Sequence, residues 1–221
     1  HSTQIGATNC ASINNNNTSG TNTDWFGFKC VLENFVKNTY NNHNPNPLFK
    51  KIFQRNTASV IGFGGAGKAI IYALIKAGFC KINVFNRSFK KKSQLAKLHL
   101  NYPTSSIVTP LDLHQLIYHS RFPQKSDLIV NTTPVTNMFA QYQKPPNYKS
   151  DAQIWTLVDK NTTITADINY KLKKNDTNPF FYQIHGIDML IAQAAPCFES
   201  WFGLLPDIND QNLRNLLLEK I

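Results

Sequence analysis

The chain has 221 residues, of which 42% are hydrophobic, 12% aromatic and 16% charged. This length and composition exclude a disulfide-stapled miniprotein and a disordered chain, and they predict a folded protein of one large domain or one and a half ordinary ones. Lys and Arg outnumber Asp and Glu by 23 to 13, and the resulting net charge of +10 favours an anionic partner: nucleic acid, a phosphorylated cofactor, a carboxylate substrate or an acidic membrane surface.

The cysteines and the apolar runs indicate where the protein works. Cys10, Cys30, Cys80 and Cys197 are far apart and form no C-x-x-C pair, so we expect neither a zinc site nor a redox dithiol, and no other metal site. Buried free thiols in a reducing cytosol are the simpler interpretation. The sequence has no apolar run of about 18 residues and no charged-then-apolar leader, so we expect a cytoplasmic protein that does not span a membrane.

The N-terminal part predicts few regular elements. Residues 1–23 are small and polar and contain a four-Asn run, which is typical of a short strand followed by a loose turn. A helix is then expected from Asp24, with Asp24 or Thr23 as its N-cap, to about Tyr40. Its apolar stripe at i, i+3, i+4, i+7 and i+8 consists of Phe28, Val31, Leu32, Phe35 and Val36. Residues 41–56 predict a connector.

Apolar strand-like runs alternate with helix-like stretches after the connector, which predicts a parallel sheet with crossover helices. The predicted strands are 58–61, 81–85, 107–109, 127–131, 156–158 and 165–168. The predicted helices are 66–77, 88–100, 111–119, 187–202 and 210–220. The sequence therefore predicts an α/β fold.

The sharpest local signal is a glycine-rich turn between a strand and a helix. Gly62, Gly64 and Gly67 form a G-x-G-x-x-G pattern directly after the strand 58–61. Glycines in this pattern allow a tight turn and let the backbone approach a pyrophosphate at the N-terminus of the following helix. The segment therefore predicts a dinucleotide site rather than a merely flexible turn.

The end of the second strand indicates which dinucleotide binds. A site for NAD carries an acidic residue about 20 residues beyond the glycines, whereas this chain has Asn86, Arg87 and Ser88, followed by Lys90 to Lys92. A guanidinium group at the strand end suits the 2′-phosphate of NADP. Lys90 and Lys92 are expected to lie on a solvated helix face.

A third segment, Asn131-Thr132-Thr133-Pro134, ends another strand in polar residues at the sheet edge where open α/β sheets bind ligands. Taken together, four blocks of the chain resemble the shikimate dehydrogenase family, in the order of that family and over nearly the whole chain. The blocks are Ile5 to Asn9 with Asn22 to Gly27, Gly62 to Ala66 with Asn86 to Ser88, Asn131 to Pro134, and Gly186 to Gly203.

The resemblance implies an NADPH-dependent, reversible reduction of the 3-keto group of 3-dehydroshikimate to shikimate, a step of chorismate and aromatic amino-acid biosynthesis. It implies that Asp24 is catalytic, working beside a lysine in proton transfer to the developing alkoxide. It implies that Asn9, Asp24, Tyr170 and Gln193 bind the substrate. The implied cofactor-binding residues are Gly62, Phe63, Gly64, Gly65, Ala66, Asn86, Arg87, Ser88, Lys91, Thr133, Ile168, Gly186 and Met189.

Elementary chemistry agrees with these roles but leaves alternatives. Hydride transfer belongs to the cofactor, so the protein must orient the substrate and provide a proton for the oxygen. A carboxylate is a poor acid at neutral pH unless its pKa is raised, which favours an orienting role for Asp24. Asp24 could instead serve only as a helix cap, and Gln193 could be a satisfied buried amide.

The sequence departs from the family pattern at several positions. The family region with a Ser-x-Ser pair and the catalytic lysine precedes the first block, whereas only His1 to Gln4 precede Ile5 in this sequence. We therefore expect weak or no activity from this chain alone. Cys10 replaces a usual threonine, Thr136 and Asn137 stand where a Gly-Met pair is usual, and the segment between Tyr170 and Gly186 is short.

We thus predict a doubly wound Rossmann-type NADP-binding domain joined to the remnant of an α/β substrate-binding lobe. Residues 1–50 are assigned to that remnant and a linker helix, 51–185 to the cofactor domain and 186–221 to helices that pack back on the lobe. The expected partner is a small-molecule substrate rather than nucleic acid or membrane, in a monomer or homodimer. A quinate dehydrogenase that uses NAD and a non-catalytic ligand-sensing module of the same fold remain alternatives.

Overall fold

Six parallel strands form the central sheet in the part of the chain that the structure describes. The structure is a computed structural model that describes residues 1–15, 17–42, 56–86, 107–112, 125–134, 158–159, 161–170 and 182–220. The sheet consists of β3 (Thr57–Ile61), β4 (Lys81–Asn86), β5 (Ile107–Asp112), β6 (Leu128–Asn131), β7 (Ile164–Asp167) and β8 (Tyr182–His185). The predicted α/β class with a parallel sheet is confirmed.

The strand order is β5-β4-β3-β6-β7-β8. The chain adds β4 and β5 on one side of β3, then returns to the other side of β3 and adds β6, β7 and β8 outward from there. This order is that of a doubly wound Rossmann sheet, which binds ligands where the order reverses. In this sheet the reversal lies between β3 and β6. Gly62 follows β3 and Thr132 follows β6, so the glycine turn and the threonine pair flank the same crevice.

Three helices cover one face of the sheet. They are α2 (Asp24–Asn42), α3 (Gly65–Lys76) and α4 (Gly186–Phe202). Alternate strand residues such as Val60, Val84 and Val130 share one hydrophobic core with Ile70 of α3 and Phe28 of α2. Since α2 packs against both α3 and α4, the N-terminal residues are held close to the carboxyl ends of the strands.

The N-terminal segment differs from the prediction of one short strand and a loose turn. A one-turn helix α1 (Ser2–Ile5) precedes an antiparallel hairpin of β1 (Cys10–Asn14) and β2 (Asn17–Thr21). Asn15 adopts a positive φ of 44° at the turn, which asparagine tolerates better than most residues. Asn14 and Asn17, at the two ends of the Asn-rich run, pair with each other, so the run lies at the turn of a hairpin.

Other boundaries differ in smaller ways. Leu111 and Asp112, predicted to begin a helix, extend β5 by pairing with Phe85 and Asn86 of β4. Val158, predicted to end a strand, has no regular structure, and β8, which is only four residues long, was not predicted. The predicted helix 88–100 lies outside the described residues. The C-terminal helix α5 (Gln211–Lys220) agrees with the prediction, and no helix in the described ranges is long and apolar enough to cross a membrane.

Candidate active site

The glycine turn after β3 is built for close backbone contacts. Gly62 has a φ of +104°, and a Cβ at this position would lie 2.6 Å from Thr132 Oγ1. A Cβ on Gly67 would lie 2.5 Å from the carbonyl oxygen of Gly62. The two glycines therefore allow the turn to close against α3 and β6, which is the physical reason for the spacing.

The outer side of the same turn is open. A Cβ on Gly64 would meet no atom within 4 Å, and Gly65 begins α3 with the helix axis directed away from the turn. Phe63 differs, because its ring is buried and Lys68 Nζ lies 5.8 Å above the ring centroid. Phe63 can therefore contact a cofactor only through its backbone.

A buried carboxyl group joins the ends of β6 and β7. Asp167 Oδ1 accepts hydrogen bonds from Asn131 Nδ2 at 3.2 Å and from the backbone N and side-chain Nδ2 of Asn169 at 3.0 and 2.8 Å. Asn169 Nδ2 also donates to the carbonyl of Thr133 at 2.9 Å. Burial raises the pKa of Asp167, against the lowering effect of these hydrogen bonds, and its Oδ2 has no hydrogen-bond partner among the described residues.

The start of α4 lies against the residue that follows β7. A Cβ on Gly186 would be 2.5 Å from the carbonyl oxygen of Ile168, so only glycine fits at this position. The chain passes from β8 directly into α4 with His185 as the N-cap residue. Thr133, Ile168, Gly186 and Met189 are thus placed at the carboxyl edge of the sheet, on the β6-β7-β8 side of the crevice.

A network of polar side chains lies beside this edge. Asn9 precedes β1, and its Nδ2 donates to Asp24 Oδ1 at 2.8 Å and to Thr23 Oγ1 at 3.0 Å. The backbone N of Thr23 donates to Asn9 Oδ1 at 2.8 Å. Burial raises the pKa of Asp24, and the hydrogen bond from Asn9 opposes this rise.

Asp24 begins α2, but it does not close the helix end by itself. The carbonyl of Thr23 accepts the first helical hydrogen bond from Gly27 N at 2.9 Å, and Asn22 Oδ1 accepts a hydrogen bond from Asp24 N at 3.1 Å. The helix therefore begins with Thr23 in the N-cap position. The carboxylate of Asp24 instead accepts a hydrogen bond from Asn9.

Gln193 brings α4 into the same network. Its Oε1 lies 3.2 Å from both Asn9 Nδ2 and Thr23 Oγ1, and its Nε2 donates to the carbonyl of Leu190 at 3.1 Å. Hydrogen bonds of Asn9 and Thr23 therefore bring together Asn9, Asp24 and Gln193, which belong to three separate parts of the sequence. Tyr170 lies nearby after β7, with 40% of its surface exposed.

A cavity of about 120 Å³ connects the two groups of residues. Its lining combines residues predicted to bind the substrate with residues predicted to bind the cofactor. The lining residues are Asp24, Ala66, Ile168, Tyr170, Gly186, Met189, Leu190 and Gln193. Such a cavity at the switch point of a doubly wound sheet can hold a small polar molecule beside a dinucleotide.

Thr23 and Cys197 were missed as site residues. Thr23 Oγ1 lies 3.3 Å from Cys197 Sγ, and a hydrogen bond links Cys197 to Cys10. Burial and this contact raise the pKa of Cys10 to about 11. All four cysteines are free thiols; two are buried, whereas Cys30 and Cys80 are half-buried rather than buried as expected. A threonine at a helix start is normally only a cap, so no sequence pattern marks Thr23 separately as a site residue.

The residues predicted to bind the 2′-phosphate of the cofactor begin at the end of β4, and Asn86 is the one that the structure describes. Asn86 is the last residue of β4. It lies close to the glycine turn, because Gly62 N donates a hydrogen bond to the carbonyl of Phe85, the residue before Asn86, at 2.8 Å. Arg87, Ser88 and Lys91 lie outside the described residues. Thr136 and Asn137 also lie outside them.

The chain is similar to proteins of one family. The family described as Shikimate / quinate 5-dehydrogenase matches residues 47–148. A shikimate dehydrogenase (NADP(+)) of Bartonella quintana (strain Toulouse) is 32% identical over 225 residues, which cover 98% of this chain and 67% of that protein. The chain thus spans about two thirds of the length of this relative.

Solved structures agree with the fold. A shikimate dehydrogenase of Aquifex aeolicus matches with a TM-score of 0.64 and 25% identity, over 96% of this chain and 68% of that one. A quinate dehydrogenase of Corynebacterium glutamicum in complex with NAD matches with a TM-score of 0.68 and 23% identity, over 99% and 70% of the two chains, which supports the fold alone. The identity to the Bartonella protein over nearly the whole chain shows that this chain belongs to the shikimate dehydrogenase family.

Proposed function

We propose that the protein is an NADP(H)-dependent shikimate dehydrogenase, which reduces 3-dehydroshikimate reversibly to shikimate. The observation that carries this proposal is the shared cavity, in which Asp24 and Gln193 face Ala66 of the glycine turn and Gly186 of α4. A substrate held by Asp24 and Gln193 would therefore lie beside the carboxyl edge of the sheet. The substrate and cofactor in this proposal are taken from the name of the Bartonella relative, a shikimate dehydrogenase (NADP(+)).

The residues present fit a dinucleotide. Gly62 and Gly67 close the turn, and the side of Gly64 leaves space where a pyrophosphate can approach the backbone. We propose that the backbone of Gly62 to Ala66 holds the pyrophosphate, and that Asn86, Arg87, Ser88 and Lys91 hold the adenosine end with its 2′-phosphate. Thr133, Ile168, Gly186 and Met189 would lie beside the nicotinamide. The bound cofactor supplies the hydride for the reaction.

The polar network can orient a hydroxylated ring. Asp24 Oδ1 is occupied by Asn9, which leaves its second carboxylate oxygen for a ligand hydroxyl. Asn9 is itself fixed by the backbone of Thr23, so the carboxylate is held at a set position rather than rotating freely. The raised pKa of Asp24 reflects a site partly removed from water, in which a hydrogen bond to a ligand is stronger than in solution.

Reduction of a ketone also needs a proton for the new alkoxide. Within the described ranges, the ion pairs join Lys29 to Glu33, Lys125 to Asp159 and Arg214 to Asp188, and none of them reaches Asp24. We propose that Asp24 acts with a cationic partner from outside the described residues, which donates the proton while Asp24 orients it. General acid help of this kind is worth about 10² to 10⁴ in rate.

We further propose that 1–50 and 186–221 contribute the substrate side and 51–185 the cofactor side of this cleft. The network supports this division, because Asn9 bonds to Asp24 and Gln193 bonds to Thr23 outside the sheet. A cytoplasmic location is also proposed, since four free thiols are typical of a reducing compartment.

The deciding experiment is a spectrophotometric assay of the purified chain, with shikimate or quinate as substrate and NADP⁺ or NAD⁺ as cofactor. The proposal expects NADP⁺-linked oxidation of shikimate to exceed the other three combinations. A preference for quinate with NAD⁺ would instead support a quinate dehydrogenase. Binding of NADP⁺ and shikimate without turnover agrees with the weak activity expected of this chain alone as well as with a ligand-sensing module, whereas binding of neither would overturn the proposal.

A further inference from the structure

The orientation of the Asn9 amide follows from two neighbouring groups. The backbone N–H of Thr23 can only donate a hydrogen bond, and the carboxylate of Asp24 accepts one. A backbone N–H can only donate, so the atom 2.8 Å from Thr23 N is the oxygen Oδ1 of Asn9. Its Nδ2 therefore faces Asp24, where a carboxylate oxygen accepts at 2.8 Å. Of the three acceptors near Nδ2, Asp24 Oδ1 and Thr23 Oγ1 at 3.0 Å are closer than Gln193 Oε1 at 3.2 Å. The two N–H groups of Asn9 are thus used by Asp24 and Thr23.

The Gln193 amide is fixed in the same manner. The carbonyl of Leu190 can only accept, so the atom 3.1 Å from it is Nε2 of Gln193. The oxygen Oε1 consequently faces Thr23 and Asn9. Since the two N–H groups of Asn9 donate to Asp24 and Thr23, the remaining donor for Oε1 is the hydroxyl of Thr23 at 3.2 Å.

The hydroxyl of Thr23 has one proton and two positions at which it accepts. The acceptors near this proton are Gln193 Oε1 at 3.2 Å and Asn9 Oδ1 at 3.3 Å. Because Asn9 Oδ1 already accepts from Thr23 N and Asn9 Nδ2 donates to Oγ1, we assign the hydroxyl proton to Gln193 Oε1. Cys197 Sγ, 3.3 Å from Oγ1, can donate to the second accepting position. Thr23 is 4% exposed, so water does not compete for these contacts.

We propose that Thr23 is a positioning residue, whose hydroxyl holds Gln193 with its second side-chain N–H directed into the cavity. The cavity then offers an N–H donor from Gln193 next to an accepting carboxylate oxygen from Asp24. A ligand hydroxyl can accept from the first and donate to the second. This pairing selects for a ligand that carries a hydroxyl group. The inference rests on the proposed function only where it identifies that ligand as shikimate.

Three variants separate this role from a general effect on folding. Thr23→Val keeps the side-chain shape and removes the hydroxyl, whereas Thr23→Ser keeps the hydroxyl and should restore the unmodified behaviour. Cys197→Ala is the matched control, because it removes a different neighbour of Oγ1 and leaves the hydroxyl in place. Thermal unfolding of each variant verifies that it folds.

The first readout does not depend on activity. In ¹⁵N-labelled protein, the side-chain NH₂ signals of Gln193 are identified by their loss in Gln193→Glu. In Thr23→Val, we expect these signals to move toward the shifts of a solvated glutamine amide and their exchange with water to accelerate. Thr23→Ser and Cys197→Ala should keep the unmodified signals. Unchanged Gln193 signals in a folded Thr23→Val variant would overturn the proposal.

The second readout is affinity, measured by calorimetry with shikimate as the probe in the presence of saturating NADP⁺. Loss of one neutral hydrogen bond predicts that Thr23→Val binds shikimate about three- to tenfold more weakly, with its affinity for NADP⁺ unchanged. A parallel loss of NADP⁺ affinity would overturn the positioning role. If the unmodified chain binds no shikimate, the proposed function fails, and the Gln193 signals alone decide the role of Thr23.

Discussion

Gly27 of α2 lies directly against Gln193 of α4, and the two helices touch at this point. A Cβ on Gly27 would be 2.7 Å from the backbone N and from the Cβ of Gln193. Real Cβ atoms do not approach other atoms so closely, and the backbone atom cannot rotate away. The absence of a side chain at Gly27 is therefore what allows Gln193 to reach Thr23 and Asn9.

Gly27→Ala should destabilise the protein and disturb the polar network. Alanine favours a helix by about 1 kcal/mol over glycine, but overpacking typically costs about 1 to 3 kcal/mol. We expect a net loss of up to about 2 kcal/mol in the free energy of unfolding, measured by chemical denaturation. Gly64→Ala is the matched control, since its Cβ would meet no neighbour within 4 Å. An equal stability of both variants would contradict the close contact.

The sheet was predictable because its signals are local. The glycine turn needs only Gly62, Gly64 and Gly67 between a strand and a helix, and β3, β4 and β6 are short, mostly apolar stretches of the sequence. The hairpin of β1 and β2 was not predictable in this way. Most of its side chains are exposed, so burial leaves no pattern in the sequence, and its register depends on pairing across the turn.

The site was only partly accessible from the sequence. Asp24, Asn9 and Gln193 were singled out by resemblance, whereas their mutual distances depend on how α2 crosses α4. The roles of Thr23, Cys197 and Asp167 depend on contacts between distant segments, and no local spacing encodes such contacts. Asp167 followed an apolar run and was counted as part of a strand, although its carboxyl joins two strand ends.

Gly64→Ala is also expected to weaken cofactor binding without loss of stability. Its side is open in the described structure, and a pyrophosphate bound to the turn would occupy that space. We expect a higher dissociation constant for NADPH, measured by fluorescence titration, at an unchanged midpoint of denaturation. NADPH affinity equal to that of the unmodified protein would argue against pyrophosphate binding at this turn.

Asp24→Asn should keep the fold and lower turnover. Asparagine has the same size and retains a side-chain oxygen for the hydrogen bond from Asn9, so the midpoint of thermal unfolding should change little. The loss of the carboxylate should lower kcat by about 10² to 10⁴ if Asp24 takes part in proton transfer.

The pH profile gives a second measure of the same residue. Because burial raises the pKa of Asp24, kcat/KM of the unmodified enzyme should decline on the acid side at a higher pH than an ordinary aspartate would cause. This acid limb should be missing in Asp24→Asn. An Asn variant with unmodified kcat would leave Asp24 with a structural role only.

Arg87→Ala should reduce the preference for NADP(H) over NAD(H). Arg87 lies outside the described residues, and its role is predicted from its position after β4 and from the missing acidic residue. Loss of a charge-assisted contact to a phosphate costs about 1.5 to 3 kcal/mol, so the affinity for NADP⁺ should fall roughly 10- to 150-fold while that for NAD⁺ stays nearly constant. Lys90→Ala, on the expected solvated face, is the control. Equal affinities for both cofactors in the unmodified chain would refute the assignment.

Asp167 and Asp159 should change stability with pH in opposite directions. Burial raises the pKa of Asp167, so between its ordinary and its raised pKa the folded state binds more protons than the unfolded state, and stability declines as pH rises through this window. The pKa of Asp159 is lowered by the hydrogen bonds from Asn161 N and Lys125, so its contribution to stability is present above its ordinary pKa and is lost as pH falls through the lowered one.

Asparagine variants at these two positions test the signs directly. Relative to the unmodified protein, Asp167→Asn should gain stability as pH rises through the window between the ordinary and the raised pKa of Asp167, because the variant has no buried carboxyl to ionise. Asp159→Asn should lose relative stability as pH rises from the lowered to the ordinary pKa of Asp159, because the unmodified protein gains its bonds to Asn161 and Lys125. Urea denaturation from pH 3 to pH 7 measures both differences. Slopes of the same sign would show that burial does not dominate the ionisation of Asp167.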